Sequence, residues 1–152
     1  MNGREPKLDN DLFFVCSVIE HIGRETKNRR ADVVSKLGKD ALARLLELAD
    51  VYHCEPIENT ADALIEKYNI VEGGFDNTAG HDRVPRVFDI AKVYKRLIVE
   101  VANSSGKSPV DTLVEVMTSW ISDKISDYGC NMFYESPEYL YLSYLEGEPL
   151  RD

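Results

Sequence analysis

The sequence lacks the features that would identify a membrane protein or a secreted disulfide scaffold. None of its 152 residues belongs to a run of roughly 18 uninterrupted apolar residues, as a membrane span requires. The first residues, MNGREPKLDND, carry charges where a signal peptide has its apolar segment. The three cysteines, Cys16, Cys54 and Cys130, are odd in number and far apart, unlike those of a disulfide framework. These absences favour a globular cytoplasmic protein that has no membrane partner.

Signatures of catalysis and cofactor binding are also missing. The chain has no G-x-S-x-G nucleophile turn, no P-loop and no dinucleotide-binding glycine pattern. Asp50, His53 and Cys54 could form one corner of a metal site, but no second cluster supplies the remaining ligands. We therefore expect no metal, no cofactor and no enzymatic activity. A catalytic site assembled from separate residues near Glu47, Asp50 and His53 is the residual alternative.

Helical periodicity extends through almost the whole chain. Apolar residues recur at the three- and four-residue spacing of a helix face, and no convincing strand is seen. The predicted helices cover 9–25, 30–37, 39–53, 59–70, 87–103, 109–128 and a short segment from 137. The residues expected to cap helix N-termini are Asp9 or Asn10, Asn59 or Thr60, Ser108, and Ser136. Gly38 is expected to separate the second helix from the third. The sequence thus predicts an all-α fold of about seven helices without a substantial sheet.

A connecting loop over 71–86 is expected to divide the chain. It is rich in Gly, Asp and Asn and has no apolar period. The expected parts are a four-helix N-terminal half, 1–70, and a three-helix C-terminal half, 87–152, packed as one unit. Loops held by rigid elements often carry binding residues. The candidates for a polar site in this loop are Asp76, His81, Asp82 and Arg83.

The segment 132–147, MFYESPEYLYLSYLEG, contains four of the eight tyrosines. It lies in the most acidic part of the chain, since residues 119–152 hold seven acidic and two basic side chains. One interpretation is a helix wedged among the others, with its tyrosine hydroxyls at the rim. The second is a protein-binding surface, because tyrosine suits surfaces that are both apolar and hydrogen-bonding. A base-stacking platform is disfavoured, because such platforms lie in positively charged grooves.

Helical spacing separates two sides of the helix that begins at Pro137. The residues expected on its inner side are Leu140, Tyr141, Tyr144 and Leu145. Of these, Tyr144 is expected to be fully buried. Residues away from this side are expected to contact a partner. The candidate partner-binding residues are Tyr134, Glu135, Glu138, Tyr139 and Leu142.

A DNA-binding alternative rests on the one strongly basic segment, 24–39, with six basic and two acidic side chains. Two short helices around a tight turn would resemble a helix-turn-helix. The following helix, KDALARLLELAD, lacks the Asn, Gln and Ser side chains that read base edges. The net charge of −9 also disfavours general binding to phosphates. The candidate nucleic-acid contacts are Arg24, Lys27, Arg29, Arg30 and Lys36.

A resemblance covers nearly the whole chain. It is carried by FFVCSVIEHIGRETKNRRADVVSKLG, LADVYHCEPIE, FDIAKVYKRLI and SWISDKISDYGCNMFYESPEYLYLSYLEG. These stretches resemble an uncharacterised family of small bacterial all-helical proteins. The family's association with genes for small ADP-ribosyltransferase-like proteins implies a toxin and antitoxin arrangement. No catalytic motif of the family can be transferred to this chain, so the resemblance implies a partner and not a reaction.

These observations favour a non-enzymatic protein-interaction module. Its expected partner is another protein, encoded nearby in a bacterial genome, which this chain would neutralise as an antitoxin does or would regulate. The alternative is a DNA-binding transcriptional regulator that uses 24–39. An acidic chain and a more basic partner would attract each other electrostatically.

Overall fold

Helices account for all the regular secondary structure in the computed structural model, which describes residues 4–76, 78, 84–127 and 132–150. No strand occurs in these ranges, and the all-α prediction is confirmed. The helices are α1 (Arg4–Thr26), α2 (Arg30–Glu47), α3 (Ala49–Tyr52), α4 (Ile57–Lys67), α5 (Val87–Ser105), α6 (Pro109–Met117), α7 (Trp120–Ser126) and α8 (Pro137–Glu146). A short 3₁₀ helix covers Met132–Tyr134. Within the described ranges, no helix combines the length and the apolar character needed to cross a membrane.

Two predicted N-terminal caps were wrong because both helices begin earlier than expected. Helix α1 starts at Arg4, so Asp9 and Asn10 lie inside it. An ion pair between Lys7 and Asp11, four residues apart, stabilises this additional turn. Helix α4 starts directly after Pro56, so Asn59 and Thr60 lie within the helix.

The predicted caps at Ser108 and Ser136 are confirmed. The Ser108 hydroxyl accepts a hydrogen bond from the Asp111 amide at 3.1 Å. The Ser136 hydroxyl accepts one from the Tyr139 amide, also at 3.1 Å. In both helices a proline follows at the first position, where its missing amide hydrogen is not needed.

Two interruptions shape the middle helices. Gly38 has φ 80° and ψ 165°, a conformation open essentially to glycine alone, and α2 kinks there as predicted. The predicted single helix over 109–128 was wrong, because Thr118 and Ser119 separate α6 from α7. Their hydroxyls donate to the carbonyls of Val114 and Val116 at 2.6 Å each. Such side-chain bonds compete with the helical backbone pattern and help to end α6.

The core is built around α1 and α5, which make the most extensive helix contact. In the sequence, α1 precedes the 71–86 segment and α5 follows it. Residues from both parts of the sequence therefore belong to a single buried cluster. Among the largest fully buried side chains are Leu12, Ile19 and Ile22 of α1 and Tyr94 and Ile98 of α5. Helices α2 and α4 also pack on α1, and α6 and α8 pack on α5. The division into two halves stays a prediction.

The first part of the connecting segment is bound to the end of α1. The Gly73 amide donates to the Thr26 carbonyl at 2.8 Å, and the Phe75 amide donates to the Lys27 carbonyl at 2.9 Å. The Asn28 side chain donates to the carbonyl of Val71 at 3.0 Å. This backbone pairing brings Gly73 so close to α1 that a side chain has no space there.

We expect Gly73→Ala to lower the free energy of unfolding by about 2 kcal/mol, because overpacking forces the backbone apart. An added Cβ would lie 2.6 Å from the Lys27 carbonyl oxygen, which cannot move as a flexible side chain would. Gly74→Ala is the matched control, since a Cβ at that position has no neighbour within 4 Å. Urea denaturation of both variants measures the difference. Equal stability of the two variants would show that 71–75 does not pack against α1 in solution.

Candidate functional site

Helix α8 fully buries only one of the four residues that its apolar spacing placed on the inner side. Leu140 is 2% exposed and Ser143 is fully buried, whereas Leu145 is 57% exposed. The prediction that Tyr144 is fully buried was wrong: the ring is half-buried and its hydroxyl donates to Glu115 Oε2 at 2.8 Å. The small Ser143 side chain replaces Tyr144 at the centre of the buried face, so α8 is rotated relative to the expected orientation.

The residues after α8 fold back over it and hold this rotation. The Leu150 amide donates to the Ser143 hydroxyl at 3.1 Å. The Tyr139 hydroxyl donates to the Leu150 carbonyl at 2.9 Å. Tyr139 is therefore partly buried against the core and already has a hydrogen-bond partner within the chain.

The exposed side of α8 carries two leucines and two glutamates, Glu138, Leu142, Leu145 and Glu146, which we call the α8 outer face. Leu142 is 40% exposed and lies three residues before Leu145, so the two are neighbours on the helix surface. Glu138 precedes Leu142 by four residues, and Glu146 follows it by four. Two other candidate partner-binding residues precede α8 and differ in exposure: Tyr134 is 58% exposed, whereas Glu135 is half-buried.

Sequence reasoning missed Leu145, although a signal was available. Leu145 lies seven residues after Glu138, the spacing of two helical turns, and Glu138 was correctly expected to be exposed.

The hydrogen bond between Glu115 and Tyr144 shifts the pKa values of both groups. The pKa of the Glu115 carboxyl is lowered, mainly by a hydrogen bond from Lys107 and secondly by the one from Tyr144. The pKa of the Tyr144 hydroxyl is raised, mainly by burial and secondly by its hydrogen bond to Glu115.

Two of the five candidate nucleic-acid contacts point into the protein. The Arg30 side chain is 3% exposed and pairs with Glu20 Oε1 at 2.7 Å. The Arg24 side chain is 19% exposed, and its Nε donates to Glu20 Oε2 at 2.7 Å. Lys27 and Lys36 are exposed, and so is Arg29, which lies 5.2 Å over the ring of Phe75.

A buried ionic cluster joins α1, α2 and α5 and also contacts Pro85, just before α5. It consists of Glu20, Arg24, Arg30 and the ring of Tyr94. The Arg30 guanidinium lies 4.6 Å above the Tyr94 ring and also donates to the hydroxyl of Ser126 on α7. Arg24 donates to the Pro85 carbonyl at 2.6 Å. Charges held in this way position helices, and they are not available to phosphates.

The polar-loop candidates fall mostly outside the described residues. Asp76 is described, and it accepts hydrogen bonds from the Thr78 amide at 3.0 Å and hydroxyl at 2.6 Å. His81, Asp82 and Arg83 are not among the residues that the structure describes. The polar site in this loop therefore stays a prediction.

Two of the residues considered for a catalytic site, Asp50 and His53, line a cleft of about 800 Å³. Glu47, the third, is not part of its lining. Phe13 and Phe14 of α1, which are partly buried against the core, also form part of the cleft wall. Across 4–76, 78, 84–127 and 132–150, no three His, Cys, Asp or Glu side chains come together as metal ligands would.

We expect alkylating reagents to distinguish two cysteines. Cys16 is buried in α1, and burial raises the pKa of its thiol to about 12. Cys54 is exposed. Because the thiolate is the reactive form, iodoacetamide at pH 8 should modify Cys54 at least about 100-fold faster than Cys16. Peptide mapping by mass spectrometry measures both rates, and equal labelling in urea is the control. Rapid labelling of Cys16 in the native protein would mean that α1 opens readily.

Comparisons with protein-family models, with curated proteins and with solved structures found no match to this chain. The resemblance to small bacterial helical proteins therefore stays a prediction.

Proposed function

We propose that this protein is a non-enzymatic interaction module that binds a more basic protein through the α8 outer face. The observation that carries this proposal is the pair Leu142 and Leu145, which are 40% and 57% exposed and flanked by glutamates. Exposure of neighbouring leucines to water is unfavourable, and their burial by a partner would stabilise a complex. Glu138 and Glu146 would favour a partner whose binding groove is apolar with a basic rim.

The resemblance found in the sequence extends this proposal to a kind of partner. The resemblance implies a nearby gene for a small ADP-ribosyltransferase-like protein, and the chain would then act as an antitoxin-like or regulatory partner of a neighbouring bacterial protein. The net charge of −9 supports this arrangement, because it would speed encounter with a basic protein.

Co-purification tests the proposal directly. The tagged chain is expressed together with its genomic neighbours, once as the natural sequence and once with Leu142→Ser and Leu145→Ser. We expect one neighbour, identified by mass spectrometry, to co-purify with the natural chain and not with the variant. Equal recovery with both chains would exclude the α8 outer face as the binding surface.

The DNA-binding alternative retains three exposed basic candidates, Lys27, Arg29 and Lys36. Arg29 lies 3.8 Å from Asp123, which reduces its attraction for phosphate. A test of this alternative should change only Lys27 and Lys36 to Gln, because changes at the buried ionic cluster would disturb the fold. A mobility shift that weakens with salt and disappears in this variant would favour the regulator.

A further inference from the structure

The cleft of about 800 Å³ lies between α1, the segment 49–58 and the start of α5. Its volume falls in the range of sites that bind small molecules. Aromatic rings form one wall: Phe13 and Phe88 have centroids 5.8 Å apart and are tilted by 35°. Phe88 is 52% exposed at the rim of the cleft. The apolar part of a small ligand could therefore pack against these two phenylalanine rings, and it would displace the water that now contacts Phe88.

A buried carboxylate lies in the wall of the same cleft. The Asp11 side chain is only 9% exposed, and Lys7 Nζ lies 2.7 Å from its Oδ2. Within the described part of the chain, Lys7 is the one side chain that bonds to this carboxylate. A buried carboxylate without a cation is strongly unfavourable. Asp11 therefore creates a position that a cation must fill.

The cation that fills this position is in contact with water. The Lys7 side chain is 52% exposed, and its ammonium also lies 3.0 Å from Oδ2 of Asp50, which is 59% exposed. Hydrogen bonds to Asp11 and then Asp50 raise the pKa of Lys7. Lysine has a long, flexible side chain, so its ammonium can leave for water if another cation takes its place.

The charge of the cleft favours such an exchange. Its lining contains four carboxylates and one lysine, which gives 1 − 4 = −3 with histidine neutral. Glu55 and Glu58 are the two carboxylates not bonded to Lys7, and both are exposed. A negative cleft with low-dielectric aromatic walls concentrates cations.

We propose that this cleft binds a small organic cation with an apolar body. The ligand's ammonium or guanidinium group lies between Asp11 and Asp50, where it replaces the ammonium of Lys7. Its apolar body packs against Phe13 and Phe88, whose ring faces also attract cations. Lys7 occupies the site in the absence of ligand and competes with ligand binding. This site is separate from the α8 outer face and does not depend on the proposed interaction function.

Three probes of matched shape test the chemical class: 3-phenylpropylammonium, 3-phenylpropanol and 3-phenylpropionate. Binding to the full chain is measured by NMR titration, with signals of Asp11, Phe13, Asp50 and Phe88 as reporters. We expect the ammonium to bind about tenfold more tightly than the alcohol, as one charge-assisted hydrogen bond allows, and the carboxylate not to bind. Equal affinities for ammonium and alcohol would overturn the proposal.

Variants test the roles of the carboxylates and of Lys7. Lys7→Met should strengthen ammonium binding by about tenfold, and Asp50→Asn added to that variant should then weaken binding by about fivefold, because no lysine competes for the same carboxylates. Asp62→Asn, an exposed change on α4 outside the cleft, should leave binding unchanged. If Lys7→Met does not fold, Lys7→Gln takes its place in both measurements. Unchanged binding on addition of Asp50→Asn would overturn the assignment.

A lysine side chain of another protein carries the same chemical group as a free amine. A capped pentapeptide, Ala-Phe-Lys-Phe-Ala, is therefore titrated under the same conditions. Binding of the free ammonium probe supports a small-molecule site. Binding of the peptide without any binding of the free probe would overturn the small-molecule proposal in favour of a docking site for a partner.

Discussion

Glu20→Ala is expected to lower the free energy of unfolding by about 4 kcal/mol, the cost of leaving a buried charge without its partner. The Glu20 side chain is 4% exposed, and each of its oxygens lies 2.7 Å from a guanidinium nitrogen of Arg24 or Arg30. Removal of the carboxylate takes away the negative charge that lies 2.7 Å from the buried Arg30 guanidinium. Chemical denaturation followed by circular dichroism measures the change.

Glu25→Ala is the matched control, because it removes a carboxylate from the same helix. Glu25 pairs with His21 at 3.4 Å and is 46% exposed, so its loss should cost under about 1 kcal/mol. The double variant Glu20→Met, Arg30→Met should lose less stability than the sum of its single changes, because the two residues interact directly. Similar losses for Glu20→Ala and Glu25→Ala would mean that water reaches the buried ionic cluster.

This cluster explains why the basic segment 24–39 was misleading as a sequence feature. Its charge suggested a phosphate-binding surface, but Arg24 and Arg30 instead pair with Glu20 inside the protein. The spacing of Glu20 and Arg24 by four residues did indicate a pair on one helix face. No local pattern connects Arg30 to Glu20, Tyr94 and Ser126, because these residues come together only when α1, α2, α5 and α7 pack.

Several features that depend on a few adjacent residues could be predicted, although the expected caps at the starts of α1 and α4 were wrong. Ser108 and Ser136 cap their helices, Gly38 interrupts α2, and the apolar stripe of α5 is buried. The apolar residues of α8 alone do not define its orientation, because the helix is apolar on nearly all sides; the spacing of Leu145 from Glu138 is the local signal for its exposed side. Two contacts from outside α8 help to fix which side is buried. Tyr144 bonds to Glu115, which is far away in the sequence, and Ser143 bonds to Leu150, which follows the helix.

The cleft illustrates the same limit. Asp50 and His53 attracted attention through their spacing, but Phe13 and Phe88 are 75 residues apart and their rings meet only in the folded chain. Their apolar character predicts burial, and a cavity wall is one place where aromatic residues remain only partly buried. A cavity forms where neighbouring helices diverge, and the apolar spacing within one helix does not predict the angle between two helices.

The largest effect on partner binding is expected from Leu142→Ala combined with Leu145→Ala. If the α8 outer face binds the partner, loss of both apolar side chains should weaken the complex by about 3 kcal/mol, or roughly 100-fold in Kd. The same change should alter the stability of the free protein by less than about 1 kcal/mol, because neither leucine belongs to the buried core and alanine favours helices. Calorimetric titration with the co-purified partner and thermal unfolding of the free chain measure the two quantities separately.

Val51→Ala is the matched control, since Val51 is 65% exposed but lies on α3 and not on α8. It removes a comparable apolar contact and should leave Kd unchanged. Glu138→Lys and Glu146→Lys should instead slow association and make it less sensitive to salt, because these charges act mainly before contact is made. Unchanged affinity in the double leucine variant, with the partner still bound, would place the interaction elsewhere on the protein. A large loss of stability in the same variant would mean that the leucines are buried in the free protein, and that the α8 outer face is not an exposed surface.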